Sequence, residues 1–113
     1  MSRDYKLCFP LGYQVENKTE FHQKLVDLFG VGGTVKRNRN GEVEDFNVDT
    51  DYGIIRLIDL KVLQLDIKID EDYFSGKLTS VQIEELYQKM KDASIIQSDS
   101  PWFISSGIVF EVV

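Results

Sequence analysis

The sequence predicts an α+β fold, a mainly antiparallel sheet with two helices packed on one face, in the order β-α-β-β-β-β-α-β. Three observations predict it. Two segments place apolar residues at helical spacing, most of the remaining chain alternates with a period of two, and four strand-like runs follow one another with no helix between them. Consecutive strands bracketed by helices point to antiparallel pairing with the helices on one side of the sheet.

Asp4 to Phe9 reads as the first strand, with Tyr5, Leu7 and Phe9 alternating against Asp4, Lys6 and Cys8, and Pro10 closing it. The first helix follows Asn17, which with Glu20 has capping-box-like spacing; Phe21, Leu25, Leu28 and Phe29 form its apolar stripe, and Gly30 supplies the C-cap. Gly30-Val31-Gly32-Gly33 is then a turn. Asn40-Gly41 predicts a type I′ hairpin between strands Thr34 to Arg39 and Glu42 to Asp49. In the second of these strands Val43, Phe46 and Val48 face inward, so the alternation slips by one at Glu44-Asp45 and implies a bulge.

Asp49-Thr50-Asp51 is read as a turn, and Tyr52 to Ile58, apolar on both faces apart from Arg56, as a strand near the middle of the sheet. A turn at Asp59 to Lys61 is only weakly signalled. Beyond it Leu63, Leu65, Ile67 and Ile69 alternate with Gln64, Asp66, Lys68 and Asp70, one face buried and one charged. Thr79 and Gln82 form a second capping box, ahead of a stripe of Ile83, Leu86, Tyr87 and Met90. Ser98-Asp99-Ser100-Pro101 is a loop, and Phe103 to Val113 the last strand, with Ile104, Ile108, Phe110 and Val112 apolar.

The 113 residues fit one domain, and 42% hydrophobic residues with thirteen aromatics suffice for a core. A lone cysteine, Cys8, forbids an intramolecular disulfide and fits a reducing, cytoplasmic setting. No apolar run approaches the roughly 18 residues of a membrane span, and no signal-peptide pattern opens the chain. A monomer or a weak homodimer is expected.

The formal charge of -6 is concentrated in one stretch. Residues Glu42 to Asp72 hold ten acids against three bases, a surplus of seven negative charges, which leaves the rest of the chain about one positive. Lys36-Arg37-Asn38-Arg39 lies just before it, so the molecule is polarised. Overall acidity disfavours nucleic acid as a partner, because binding phosphates takes many neutralising cations. A basic protein fits better.

Catalytic patterns are sparse. One histidine, His22, and one cysteine cannot between them make a zinc site within one chain, and Cys8 sits in a strand-like apolar run where an inert thiol is the common case. Asp59 followed by Asp66-Ile67-Lys68 resembles the acid, acid-x-lysine pattern of magnesium-dependent nucleases of the restriction-endonuclease type, which implies two carboxylates on the metal and a lysine positioning water. The same residues arise by default on the polar side of an alternating strand. The glycine turn follows a helix and precedes a strand, the reverse of a phosphate-binding loop. Asp70-Glu71-Asp72 lacks the spacing of a calcium loop, and Lys36 to Arg39 lacks interleaved aromatics for RNA. No cofactor or metal site is expected.

A protein-binding face is the better expectation. Asp49, Asp51, Asp66, Asp70, Glu71 and Asp72 supply acid, Tyr52, Tyr73 and Phe74 flank the acidic turns as apolar anchors, and Trp102 after Pro101 is either an anchor or a plug at the end of the sheet. In profile the chain resembles the immunity proteins that protect bacteria from their own or neighbours' toxins, including those of contact-dependent inhibition systems. The likeness rests on size, charge and missing catalytic groups over the whole chain, with no motif, so no family residue is carried over. It implies occlusion of a cationic, nuclease-type toxin by the acidic surface. A phage-encoded inhibitor of a host protein has the same profile, and a small metal-dependent nuclease built on Asp59, Asp66 and Lys68 is the catalytic alternative. Exposed edges at the Asn40-Gly41 hairpin or the last strand offer strand addition.

Overall fold

The computed structural model describes residues 3–69 and 80–104, with side chains described from 6 to 67 and from 80 to 104. In chain order the elements are β1 (Arg3–Pro10), α1 (Lys18–Phe29), β2 (Thr34–Arg37), β3 (Val43–Thr50), β4 (Gly53–Ile58), β5 (Val62–Ile69), α2 (Ser80–Asp92) and β6 (Phe103–Ile104). The strands form one antiparallel sheet in the order β2-β3-β4-β5-β1-β6. This is the α+β arrangement and element order that the sequence predicts.

Alternation decides the faces. Leu7 and Phe9 on β1 oppose Leu65 and Leu63 on β5, which in turn oppose Ile55 and Leu57 on β4, while Val48 opposes Ile55 from β3. These side chains make the floor of the core, and Leu63, Leu65 and Val48 are fully buried in it. Truncating one such leucine to alanine costs about 2–5 kcal/mol. Both helices cover that floor. Phe21 of α1 meets Phe46 of β3 with ring centroids 6.4 Å apart, and Tyr87 of α2 stacks on Phe9 of β1 at 6.4 Å. The buried α2 residues are Ile83, Leu86 and Met90, as their spacing requires.

Local signals set the helix ends. Asn17 adopts an extended backbone and its side-chain oxygen accepts the Glu20 amide at 3.0 Å, while the Gly30 amide donates to the Val26 carbonyl at 2.7 Å. After α2 the chain returns to β1: the Gln97 and Ser98 amides both donate to the Leu11 carbonyl, and the Tyr13 hydroxyl donates to the Ile95 carbonyl at 2.6 Å. Ile95 and Ile96 are thereby drawn into the core. The proposed Thr79 cap, and the last strand beyond Ile104, lie outside the described residues.

The bulge is present. Lys36 pairs with Asp45 and Arg37 with Val43, which leaves Glu44 as the extra residue on β3, and only Val43, Phe46 and Val48 of that strand are buried. Two turns differ from expectation. At Asn40-Gly41 only Gly41 has positive φ, and five residues, Asn38 to Glu42, separate β2 from β3. The Asn38 side chain accepts the Asn40 and Glu42 amides at 2.9 and 3.0 Å, and this side-chain turn displaces the two-residue type I′ geometry and ends β2 at Arg37. The type I′ geometry occurs instead at Asp59-Leu60, both at positive φ, where the Lys61 amide donates to the Ile58 carbonyl at 3.1 Å. The turn after β3 also shifts, to Asp51-Tyr52.

Candidate functional site: an acidic recess at one end of the sheet

The β3–β4 turn is built by one hydroxyl. Thr50 Oγ1 accepts the Tyr52 and Gly53 amides at 3.0 and 3.2 Å and donates to the Gly53 carbonyl at 2.8 Å. Asp51 is thereby presented to solvent, and the half-buried Tyr52 packs against the core. Asp49, the last outward-facing residue of β3, is exposed as well. Two acids and one aromatic residue therefore share this end of the β3–β4 pair.

That turn borders a recess of about 270 Å³ whose other walls are Leu28 and Phe29 at the end of α1 and Lys89 of α2. Lys89 holds its ammonium 5.2 Å from the centroid of the Phe29 ring, a cation–π contact joining the two helices. Two residues after Phe29, Val31 is 86% exposed, an apolar residue in contact with water. The Asp49 amide donates to the Gly32 carbonyl at 3.3 Å, which fixes the glycine turn against β3. The arrangement offers two negative charges, an aromatic floor and one resident cation. It suits a cationic side chain that has an apolar stem.

Of the residues that the sequence singles out, Asp49, Asp51 and Tyr52 come together here. Asp66 does not join them. It points from the middle of β5 onto the helix-free face, two strands away from Asp49 in the same cross-strand row, where Arg56 Nε reaches Asp66 Oδ2 at 3.2 Å and the Gln64 amide donates to Asp66 Oδ1 at 2.9 Å. Trp102 is also elsewhere, half-buried against the core with its indole N–H donating to Glu84 Oε2 at 2.6 Å. Asp70, Glu71, Asp72, Tyr73 and Phe74 lie outside the described residues. The sequence marks Leu28 and Phe29 only as part of the helix's apolar stripe and does not mark Lys89; an aromatic at the last turn of a helix, beside glycines, is the available signal.

The nuclease pattern is not assembled in space. Asp59 sits in the β4–β5 turn and borders a second recess, of about 220 Å³, with Lys18, Glu44, Asp45 and Phe46. Asp66 lies four residues into β5 from Val62, about 13 Å along the strand, and faces the helix-free side. Among the described residues no group of three or more histidine, cysteine, aspartate or glutamate side chains is placed to hold a metal ion. Cys8 is buried in the sheet, and His22 sits on α1 with its ring 5.0 Å from Phe46. Burial, and secondarily the Arg37 guanidinium, hold the His22 imidazole below its ordinary value. No helix among the described residues is long and apolar enough to cross a membrane.

A scan against protein-family models matches none of them, and comparison with characterised proteins returns no similar sequence.

Proposed function

We propose that the chain is a protein-binding inhibitor, an immunity protein that neutralises a cationic, nuclease-type toxin through its acidic surface. The observation that carries this reading is the recess at the sheet end, whose walls combine Asp49 and Asp51 with Tyr52, Leu28 and Phe29. A lysine or arginine of the toxin would extend its apolar stem over the rings and place its charge between the carboxylates. Complementary charge speeds association, and a buried aromatic anchor slows release. Asp70, Glu71 and Asp72 follow β5 directly in sequence and belong to the same acidic stretch as Asp49 and Asp51.

The test is affinity capture of the tagged chain from its native cell at low salt, followed by elution at high salt and mass spectrometry. A stoichiometric basic protein is expected, and the Asp49→Lys, Asp51→Lys double variant should lose it while keeping its circular dichroism spectrum. Retention of the partner by that variant would move the interface away from the recess. The nuclease alternative requires Asp59 and Asp66 on one metal ion, which their positions oppose. Its own check is cleavage of DNA or RNA by the purified chain with magnesium or manganese, abolished by Asp66→Ala.

A further inference from the structure

We infer that the helix-free face of the sheet is a contact between two copies of this chain in solution, a two-fold dimer of sheets stacked face to face. Both described helices lie on the other face, through the Phe21–Phe46 and Phe9–Tyr87 contacts. Strand pairing sets out rows of side chains on this face, two across the four central strands and a third across three of them. One row runs Asp49, Ile54, Asp66, Lys6; the next Asn47, Arg56, Gln64, Cys8; the third Ile58, Val62, Pro10. The third row is wholly apolar, and Ile54 adds to it from the first. A sheet face left to water is ordinarily polar. Ile54, Ile58 and Val62 are instead only half-buried, so covering them removes apolar surface from water.

Charge selects a second copy as the occupant. The whole chain carries -6, yet the first two rows hold two acids, Asp49 and Asp66, and two bases, Lys6 and Arg56. Two such faces meet without net repulsion. Arg56 and Gln64 satisfy Asp66 within its own sheet, whereas Lys6 and Asp49, at opposite ends of the first row, have no ion-pair partner among the described residues. A half-turn about an axis parallel to the strands, between β4 and β5, lays β3 of each copy over β1 of the other. Asp49 then faces Lys6 of the second copy, twice by symmetry, and Ile58 faces Val62. Stacked sheets lie about 10 Å apart, a gap that a lysine and an aspartate span together. Four strands at about 4.8 Å, by roughly 20 Å of strand, give about 400 Å² per copy, at the weak end of specific interfaces. The dimer is accordingly reversible, forming in the micromolar range or above. It shares Asp49 with the rim of the recess, so Lys6→Glu and Val62→Asp, which leave the recess residues untouched, are the changes that separate it from the toxin-binding reading.

Sedimentation equilibrium of the full chain, from low micromolar to near millimolar concentration, tests it. The mass is expected to rise from one chain toward two. Lys6→Glu should weaken association by about tenfold or more, because it sets two pairs of like charges face to face. Asp49→Lys should do the same, and the double variant carrying both changes should restore it. Val62→Asp should abolish association with an unchanged far-ultraviolet spectrum. A one-chain mass at every concentration would overturn the inference, as would a charge-swapped double variant no stronger than its single parents.

Discussion

The Lys89 ammonium lies 5.2 Å from the centre of the Phe29 ring, so the last turn of α2 is tied to the last turn of α1 across the wall of the acidic recess. Lys89 is exposed, which keeps the contact modest. Its placement matters more than its energy. It puts a positive charge of the chain's own beside the two carboxylates that would receive a partner's cation.

Lys89→Ala should lower stability by about 1 kcal/mol, the sum of a lost exposed cation–π contact and a cation removed from a helix C-terminus. The same change should strengthen binding of a basic partner, since the recess then carries two uncompensated acids. Urea denaturation measures the first effect and titration with the captured partner the second. Lys89→Arg should leave both close to the parent chain.

Gly33 is the turn position least able to accept a side chain. Its φ is +104°, and a Cβ there falls inside contact distance of the Asn47 carbonyl oxygen and the Val48 Cα, all backbone atoms that cannot swing aside. Gly33→Ala should cost more than about 2 kcal/mol, since strain and overlap add. At Gly30 the φ is also positive but no atom lies within 4 Å of an added Cβ, so Gly30→Ala should cost about 1 kcal/mol. Equal losses in the two variants would show that overlap contributes nothing.

Trp102 secures the chain leaving α2 by donating to Glu84 at 2.6 Å. Trp102→Phe keeps most of the packing and removes the donor, and should cost about 1–3 kcal/mol for a hydrogen bond to a charged acceptor. Glu84→Gln should cost less, because a neutral acceptor remains. The indole fluorescence of Glu84→Gln relative to the parent reports the loss directly, and an unchanged spectrum would place the indole elsewhere in solution.

Stability should also depend on pH through His22, whose folded-state value is lowered by burial first and by Arg37 second. In the unfolded chain the imidazole takes its proton at about 6.5. Between that value and the lower folded one the unfolded state binds more protons, so stability is fully present above about pH 6.5 and falls as the solution is acidified through that window. His22→Gln should flatten this part of the profile. Identical slopes for the two proteins between neutral pH and the onset of carboxylate titration would exclude the imidazole as the source.

Much of the architecture is legible locally. The Glu44 bulge is written into the sequence as a single slip in the spacing of Val43, Phe46 and Val48, and the start of α1 as Asn17 with Glu20. The turns are less legible, because an Asn side chain two residues earlier competes for the same amides. Asn38 captures the hairpin at Asn40-Gly41, while Asp59-Leu60 turns at positive φ with neither Asn nor Gly to signal it. The site is legible only where it is contiguous. Asp49, Asp51 and Tyr52 are neighbours in the chain, but Phe29 and Lys89 reach them through the packing of two helix ends that no local pattern encodes. Asp66 shows the converse. It belongs to the acidic stretch in sequence, yet Arg56 on the adjacent strand takes up its charge.

The β2 edge has a consequence for behaviour at high concentration. β2 is only four residues long and exposed throughout, its Lys36 and Arg37 hold charge along the open rim, and the Glu44 bulge beside them breaks the flat ladder that an incoming strand would need. An edge so shortened, charged and kinked resists strand-to-strand growth along that rim. Replacing Lys36 and Arg37 with threonine and valine should turn that guarded rim into an aggregation template, visible as thioflavin fluorescence rising with time where the parent stays dark.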